Sequence, residues 1–216
     1  MKVLVVGANG QIGKHLVQMI QDDGVHQARA MVRKEEQAAS FKEMGAETSI
    51  VDLEGEIDDI TKAAEGVDAV VFTAGSGPKT GKDKTIMVDL DGAIKTIMAT
   101  KQAGVKRFIM ISSFDTTRRA IQDASESFAP YVVAKHYADE WLRAADLDYT
   151  IIHPGMLTND EGTGKVTLGE TVERAEVARE DIARVIFESI QVDHSIGKEF
   201  QVVNGETAIK DALQNI

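Results

Sequence analysis

The stretch KVLVVGANGQIGKH (residues 2–15) decides the fold of this 216-residue chain. An apolar, mainly β-branched run leads into a glycine-rich turn and then into a segment with helical spacing, which predicts a strand, a tight loop and a helix. Gly7, Gly10 and Gly13 recur at every third position of the loop. Glycines placed in this way permit a tight turn, close approach of the backbone to a pyrophosphate and packing of the helix on the strand. The loop is therefore predicted to bind a dinucleotide.

The same alternation of strand and helix continues along the chain. Further buried strands are predicted at 28–32, 48–51, 68–73, 106–112, 148–153 and 199–203, which gives seven with 2–6. Helices are predicted at 11–23, 35–44, 57–65, 84–103, 131–145 and 181–191, with a short last helix near 207–214. Strands that are apolar throughout are typical of a parallel sheet with helices on both faces. The sequence thus predicts an α/β fold with a doubly wound, mostly parallel, seven-stranded sheet.

Neither a linker rich in Pro, Ser or Gly nor an internal repeat divides the chain, so residues 1–216 are predicted to form a single domain. Three polar stretches, 74–83, 114–129 and 154–180, interrupt the alternation, and each follows a predicted strand. Because parallel strands end at one edge of a sheet, we expect these stretches to crowd that edge, where ligands bind. The stretch 154–180 is expected to form a small region on the substrate side.

Composition excludes several classes of partner and site. The chain has 35 acidic and 24 basic residues and a net charge of −11, so its field repels nucleic acid and anionic lipid surfaces. It has no cysteine, which excludes disulfides and thiolate metal sites, and its histidines lack metal-ligand spacing, so no metal is expected. No signal or membrane-spanning pattern is present, which favours the cytoplasm. The expected partner is a small-molecule substrate, and the oligomeric state stays open.

Arg33 and Lys34 follow the second predicted strand, where a site that prefers NAD usually has an acidic residue for the ribose 2′-hydroxyl. Two cations at this place suit the 2′-phosphate of NADP instead. Glu35 and Glu36 come next and weaken this argument, although acidic residues are ordinary in the first turn of a helix. The sequence therefore predicts NADP as the cofactor, with NAD as the alternative.

Tyr131 and Lys135 lie four residues apart on a predicted helix that Pro130 is well placed to start, so both side chains leave the same helical face. A neighbouring lysine favours the ionised form of a phenol, which suits a proton exchange with a carbonyl or an alcohol. The strand at 106–112 ends in Ser112, with Ser113 next to it, at the sheet edge where the glycine loop also lies. These residues predict a Ser-Tyr-Lys site.

Four segments, taken in order, resemble the short-chain dehydrogenase/reductase superfamily, in its extended and atypical, NmrA-like branches. They are GANGQIG (7–13), VDLDGAIKTIMATKQAGVKRFIMISS (88–113), PYVVAK (130–135) and DYTIIHPG (148–155). The resemblance covers nearly the whole chain and implies a Rossmann-type fold. It also implies an NAD(P)-binding, epimerase/dehydratase-like protein.

The resemblance implies that Tyr131 is the acid/base, that Lys135 binds the nicotinamide ribose and favours ionisation of Tyr131, and that Ser113, or less well Ser112, holds the substrate oxygen. It further implies that the cofactor contacts Gly7, Asn9, Gly10, Gln11, Ile12, Gly13, Arg33, Lys34, Asp52, Leu53, Ala74, Gly75, Ser76, Ile111, Ser112, Tyr131, Lys135, Pro154, Gly155 and Leu157.

The chain departs from the family in two respects. Asp89 stands where many members have an asparagine that supports a proton relay, and an ionised carboxylate cannot donate a hydrogen bond. The stretch 154–180 is also too short for the usual substrate domain. His153, next to Pro154, either borders the nicotinamide pocket or is a strand-end residue satisfied by the backbone.

Three functions therefore remain open. The favoured one is an NADP-dependent oxidoreductase that transfers a hydride between the nicotinamide and a small carbonyl or alcohol. The others are a redox sensor that binds NADP(H) without turnover, and an epimerase or dehydratase that retains its cofactor.

Overall fold

The computed structural model describes residues 1–77 and 79–216. Its strands are β1 (Lys2–Val6), β2 (Gln27–Val32), β3 (Glu47–Ile50), β4 (Ala69–Phe72), β5 (Arg107–Ile111), β6 (Asp148–Pro154), β7 (Met156–Thr158), β8 (Lys165–Gly169), β9 (Glu176–Ala178), β10 (Lys198–Asn204) and β11 (Thr207–Ala208). The main sheet has nine strands in the order β11-β8-β10-β6-β5-β4-β1-β2-β3. Neighbouring strands are parallel from β3 to β10, and β8 is antiparallel to both β10 and β11. The predicted fold class, a mostly parallel Rossmann-type α/β sheet, is confirmed.

Helices cover both faces of this sheet. They are α1 (Gln11–Asp22), α2 (Glu35–Glu43), α3 (Ile57–Ala64), α4 (Lys82–Lys84), α5 (Ala93–Gln102), α6 (Arg118–Asp123), α7 (Ala129–Arg143), α8 (Arg179–Ile190) and α9 (Ile209–Leu213), with a π-helical segment at Thr85–Gly92 and a 3₁₀ turn at Asp193–Ser195. Apolar side chains of α1, α2 and α8 pack on one face of the sheet, and those of α3, α5 and α7 pack on the other. Successive residues of β1 enter the two cores in turn, which explains why this strand is apolar throughout.

The sheet is larger than the seven strands predicted from the sequence. The stretch 154–180, expected to be a loop, contains β7, β8 and β9, of which β7 and β9 form a separate parallel pair. The polar stretch 114–129 contains α6, and the helix predicted at 84–103 is divided by the π-helical segment. The last predicted helix is also shorter, because Thr207 and Ala208 pair with β8 before α9 begins.

Asp181, at the start of α8, holds part of the 154–180 stretch in place. This fully buried carboxylate accepts hydrogen bonds from the backbone N–H groups of Thr163 and Gly164, both at 2.8 Å. The turn before β8 is thereby fixed to the first turn of α8.

Arg107, at the start of β5, is a buried cation that joins several elements. Its guanidinium donates hydrogen bonds to the carbonyl oxygens of Asp148 (2.7 Å) and Ser189 (2.9 Å) and to the hydroxyl oxygens of Thr150 (2.8 Å) and Ser195 (2.7 Å). Burial lowers the pKa of Arg107 to about 10, so the group stays charged at neutral pH. It links β5 to β6, to α8 and to the 3₁₀ turn.

Among residues 1–77 and 79–216, no helix is both long and apolar enough to span a membrane. No group of three or more His, Asp or Glu side chains is arranged there to hold a metal ion.

Candidate cofactor and active site

Two residues of the glycine loop, Gly7 and Gly13, have a conformation or packing that excludes a side chain. Gly7 has a φ of +82°, and a Cβ built on it would lie 2.6 Å from the Cα of Ala74. A Cβ on Gly13 would lie 2.6 Å from the Gly7 carbonyl oxygen, because α1 starts directly against the loop. A Cβ on Gly10 would meet only that same oxygen, at 3.1 Å. The space beside Gly10 at the start of α1 is therefore open to a ligand, and the loop geometry fits a pyrophosphate.

A cavity of about 380 Å³ extends from this loop along the ends of β2, β3 and β4. Its walls include nine of the residues predicted to hold the cofactor: Gly7, Asn9, Gly10, Arg33, Asp52, Leu53, Ala74, Gly75 and Ser76. Other predicted cofactor residues lie elsewhere: Ile12 is buried in the core, Gly13 packs under the loop, and Lys34 points to Glu36 at 3.5 Å. The cavity lies where the adenosine half of a dinucleotide is predicted from the sequence.

Arg33 provides a free cation in the wall of this cavity. Its backbone N–H donates to the Gln37 side chain, and within the described residues its guanidinium has neither a hydrogen-bond nor an ion-pair partner. The two acidic residues that follow it are engaged elsewhere, since Glu35 pairs with Lys42 at 2.9 Å and Glu36 with Lys34. The acidic neighbours that weakened the sequence argument for NADP are thus paired away from Arg33.

The far wall of the cavity carries an ion pair that the sequence did not indicate. Lys84, at the end of α4, donates to both carboxylate oxygens of Glu54, at 2.6 and 2.9 Å. This contact with Glu54 raises the pKa of Lys84. The pair joins the segment after β3 to the segment after β4 across the cavity.

Asp89, which stands where many family members have an asparagine, makes a structural contact. It is buried in the π-helical segment, and its Oδ2 accepts a hydrogen bond of 3.0 Å from the backbone N–H of Ser76. An asparagine could make this contact through its oxygen, but the carboxylate also gives the amide dipole a negative partner. Asp89 therefore fixes the loop after β4, which forms one side of the cavity.

Lys135 brings α7 to the end of β5. The lysine is buried, and its Nζ donates a 2.8 Å hydrogen bond to the Ile111 carbonyl oxygen, two residues before Ser113. An ammonium group has three donors, so further N–H groups are available to a ligand. Tyr131 lies one turn earlier on α7, half-buried, with its ring 5.3 Å from that of Phe128. The catalytic roles of Ser113, Tyr131 and Lys135 stay predictions.

Ser112 and Ser113 have different surroundings. Ser112 is buried and donates through Oγ to Asp139 at 2.7 Å, which leaves its hydroxyl committed to the protein. Asp139 also accepts a hydrogen bond from the Thr116 hydroxyl at 2.8 Å. Burial raises the pKa of the Asp139 carboxyl, although the hydrogen bonds from Ser112 and Thr116 lower it. Ser113 is half-buried, and only its carbonyl oxygen is hydrogen-bonded by another side chain. The structure thus favours Ser113 over Ser112 as the serine that faces a substrate.

His153 holds the backbone of Ser113 in place through a hydrogen bond. Its Nδ1 donates a 2.6 Å hydrogen bond to the Ser113 carbonyl oxygen, and its Nε2 lies 3.6 Å from Glu199. Glu199 is in turn bound by two nitrogens of Arg143, at 2.6 and 2.7 Å. The strand-end residue of the sequence analysis is therefore part of a charged network that extends beneath the predicted substrate serine.

Asp139 and Arg143 are residues of this network that the sequence analysis missed. Together with Tyr131 and Lys135 they recur every fourth residue along α7, so all four lie on one helical stripe. This spacing was a usable signal, because Lys135 and Asp139 are buried on this stripe and a buried charge needs a partner.

The charges of the network shift two pKa values in opposite directions. Burial opposes the charged imidazolium, but the Glu199 and Asp139 carboxylates and the Ser113 carbonyl outweigh it and raise the pKa of His153 above 6.5. Burial also opposes ionisation of Glu199, but Arg143 and His153 outweigh it and lower its pKa from 4.5 to about 2. The ionised Glu199 therefore stabilises the fold fully above pH 4.5, and this stabilisation is lost as the pH falls towards 2. The protonated His153 stabilises the fold fully below pH 6.5, and this stabilisation is lost as the pH rises through the raised pKa.

We expect Glu199→Gln to lower the free energy of unfolding by about 2 kcal/mol, after allowance for solvent screening at this half-buried group. The loss should be largest between pH 4.5 and 6.5 and should shrink on either side. Urea unfolding from pH 3.5 to 9 measures it. Glu140→Gln is the control, because Glu140 also contacts Arg143 but is exposed. A loss that is the same at every pH would contradict the assigned network.

The predicted nicotinamide end is formed by the turn after β6. Pro154 is the last residue of β6, and a Cβ on Gly155 would overlap the Ala175 carbonyl oxygen. That same oxygen accepts a 3.0 Å hydrogen bond from the N–H of Met156. Leu157 lies in β7 and packs against the core. The segment before β9 is thus held against the end of β6.

Gln201 joins the two loops next to this turn. It lies on β10, and its side-chain amide donates to the Phe114 carbonyl oxygen (2.8 Å) and accepts from the Val172 N–H (2.9 Å). The side chain of Arg174 lies over the Phe114 ring, 5.4 Å from its centroid. The loop after Ser113 and the segment before β9 therefore meet at one place.

Comparison with known proteins agrees with this geometry. A family model described as NAD(P)H-binding matches residues 7–193. The chain is 48% identical over 216 residues, and over the full length of both chains, to an uncharacterized sugar epimerase, YhfK, of Bacillus subtilis.

Two solved structures are similar over nearly their whole length. One is a Bacillus halodurans protein to which NAD-dependent epimerase/dehydratase activity is ascribed, with 44% identity, a TM-score of 0.93 and full coverage of both chains. The other is the oxidoreductase ylbE of Lactococcus lactis, with 35% identity, a TM-score of 0.90, and coverage of 100% of this chain and 96% of the other. The chain thus belongs to the NAD(P)H-binding family, as an atypical protein of the short-chain dehydrogenase/reductase type with a Rossmann fold.

Proposed function

We propose that the protein is an NADP-dependent oxidoreductase that acts on a small carbonyl or alcohol through Ser113, Tyr131 and Lys135. The observation that carries the proposal is the bond from Lys135 to the Ile111 carbonyl, since it brings the helix of Tyr131 to the strand that leads into Ser113. Both lie at the edge of the sheet where the glycine loop and the cavity are found.

The residues present suit a dinucleotide along this edge. The N–H groups at the start of α1 would face the pyrophosphate, Arg33 would bind the 2′-phosphate, and free Nζ–H groups of Lys135 would bind the nicotinamide ribose. When bound, the nicotinamide supplies or accepts the hydride.

The chain's own residues would handle the oxygen and the proton. In reduction, the Ser113 hydroxyl would donate a hydrogen bond to the substrate carbonyl oxygen, and the Tyr131 hydroxyl would give that oxygen its proton. The positive charge of Lys135 would favour the phenolate that is left. In oxidation, the Tyr131 phenolate would accept the proton of the alcohol.

The first experiment is a calorimetric titration with NADPH and NADH. We expect tighter binding of NADPH, and Arg33→Gln should raise its Kd about tenfold to a hundredfold because a charge-assisted hydrogen bond to the 2′-phosphate is lost. The Kd of NADH should change little. Lys34→Gln is the matched control, since Lys34 lies outside the cavity walls and contacts Glu36.

Equal binding of the two nucleotides, unchanged in the Arg33 variant, would refute the NADP preference. Failure of both to bind would refute the oxidoreductase proposal as a whole.

A second candidate is an epimerase that keeps its cofactor, and the similarity to YhfK favours it. The two candidates differ in the fate of the hydride. An oxidoreductase consumes NADPH in proportion to product, whereas an epimerase returns the hydride to its substrate and leaves the absorbance at 340 nm unchanged after many turnovers.

A further inference from the structure

Two arginine side chains stand apart from the others in having no oxygen partner in the described part of the chain. These are Arg33, in the cavity wall, and Arg174, before β9. Oxygen atoms of the protein contact the guanidinium groups of Arg29, Arg107, Arg118, Arg119, Arg143, Arg179 and Arg184. In a chain with 35 acidic residues, an arginine that forms no ion pair needs an explanation.

The backbone around Arg174 is fixed on both sides. Two residues earlier, the Val172 N–H donates to Gln201 at 2.9 Å, and one residue later the Ala175 carbonyl oxygen accepts from Met156 at 3.0 Å. The side chain lies on the Phe114 ring, where cation–π attraction holds the guanidinium without using its N–H donors. The arginine is therefore oriented while its donors stay available.

These contacts also place Arg174 at the predicted substrate end. Phe114, under the guanidinium, directly follows Ser113, and Ala175 lies against Gly155 at the turn after β6. Arg33 is at the opposite, adenosine end of the same edge. The two free guanidinium groups thus mark the two ends of the proposed site.

We propose that Arg174 binds an anionic group of the substrate, so that the substrate is a carbonyl or alcohol compound that carries a carboxylate. The planar fork of a guanidinium matches a carboxylate in two parallel hydrogen bonds, and an exposed arginine stacked on an aromatic ring keeps this fork presented. This inference rests on the proposed function, because it takes Ser113 as the residue that holds the reacting oxygen.

Two probes that share the same aromatic aldehyde test it: 4-formylbenzoate, which is charged, and its methyl ester, which is neutral and larger by one methyl group. Their Kd values are measured by saturation-transfer NMR on the protein saturated with NADP⁺, and their reduction by loss of NADPH absorbance. On the wild type we expect 4-formylbenzoate to bind about tenfold more tightly than the ester. Arg174→Gln should abolish this preference, and Arg174→Lys, which keeps the charge but not the fork, should keep part of it.

Arg119→Gln serves as the control, since Arg119 is an exposed arginine of the nearby helix α6 that is paired with Asp123. It should keep the full preference. Equal binding of the two probes, binding of neither, or an unchanged preference in Arg174→Gln would overturn the inference.

The two readouts separate this inference from the proposed function. A charge preference in binding that disappears with Arg174→Gln, without consumption of NADPH by any variant, would leave the inference standing and count against the oxidoreductase. Reduction of both probes at equal kcat/KM, unaffected by Arg174→Gln, would leave the oxidoreductase standing and overturn the inference.

Discussion

Tyr131→Phe is expected to lower kcat for the NADPH-linked reduction of a carbonyl compound about a thousandfold. The variant keeps the ring and its contact with Phe128 but lacks the hydroxyl that would protonate the substrate oxygen. A positioned acid contributes roughly a hundredfold to ten-thousandfold to such a step. Absorbance at 340 nm under saturating NADPH measures the loss. Calorimetry should show the same Kd for NADPH within about twofold, because the change removes one hydroxyl and leaves the proposed contacts of the glycine loop, Arg33 and Lys135 in place.

Tyr137→Phe is the matched control for this experiment. Tyr137 lies on the same helix but is exposed, and its hydroxyl accepts a hydrogen bond from Arg118 at 3.1 Å. Its loss should leave kcat unchanged. Full turnover in Tyr131→Phe would exclude the assigned acid, and an equal loss in both variants would point to a disturbed helix rather than to missing chemistry.

The second large effect concerns stability. We expect Arg107→Ala to lower the free energy of unfolding by about 4 kcal/mol and the Tm by about 10 °C, because buried oxygens on β6, α8 and the 3₁₀ turn lose a charged donor together. Thermal and urea unfolding followed by circular dichroism measure both values. Arg119→Ala, an exposed arginine with one carboxylate partner, should change the free energy of unfolding by less than about 0.5 kcal/mol. If Arg107→Ala also changed the free energy of unfolding by less than about 0.5 kcal/mol, water would replace the guanidinium without loss of stability.

The elements that the sequence predicted well are those whose signal is local. Each of the seven predicted strands exists, with ends within a few residues. For β1, β4 and β5 an apolar run between turns is a sufficient signal, because nearly all of their residues are buried. The glycine loop was predictable for a similar reason, since its backbone conformation and close contacts involve neighbours in sequence. Arg33 could be placed from its position directly after β2.

The elements that were missed depend on distant partners. β8 forms by pairing with β10 and β11, next to the edge of the sheet, and its side chains are mostly exposed or half-buried, so its hydrophobic pattern is weak. Gln201 binds Phe114 from 87 residues away, and no pattern near either residue indicates that contact. The network under Ser113 is an intermediate case: the stripe along α7 was visible in the sequence, but its partner Glu199 was not.

The contact between Gly155 and Ala175 has a consequence for the directed evolution of this protein. Because a Cβ at Gly155 would overlap a backbone oxygen, nearly every amino-acid substitution at that position should yield misfolded variants. A mutant library that randomises Gly155 together with the other residues of the proposed substrate site would therefore contain many unfolded members. Phe128, which lies beside Tyr131, and Met156, which follows Gly155, have exposed side chains and should tolerate far more change. Selection for new substrates should therefore accumulate mutations at these two positions and leave the turn between β6 and β7 untouched.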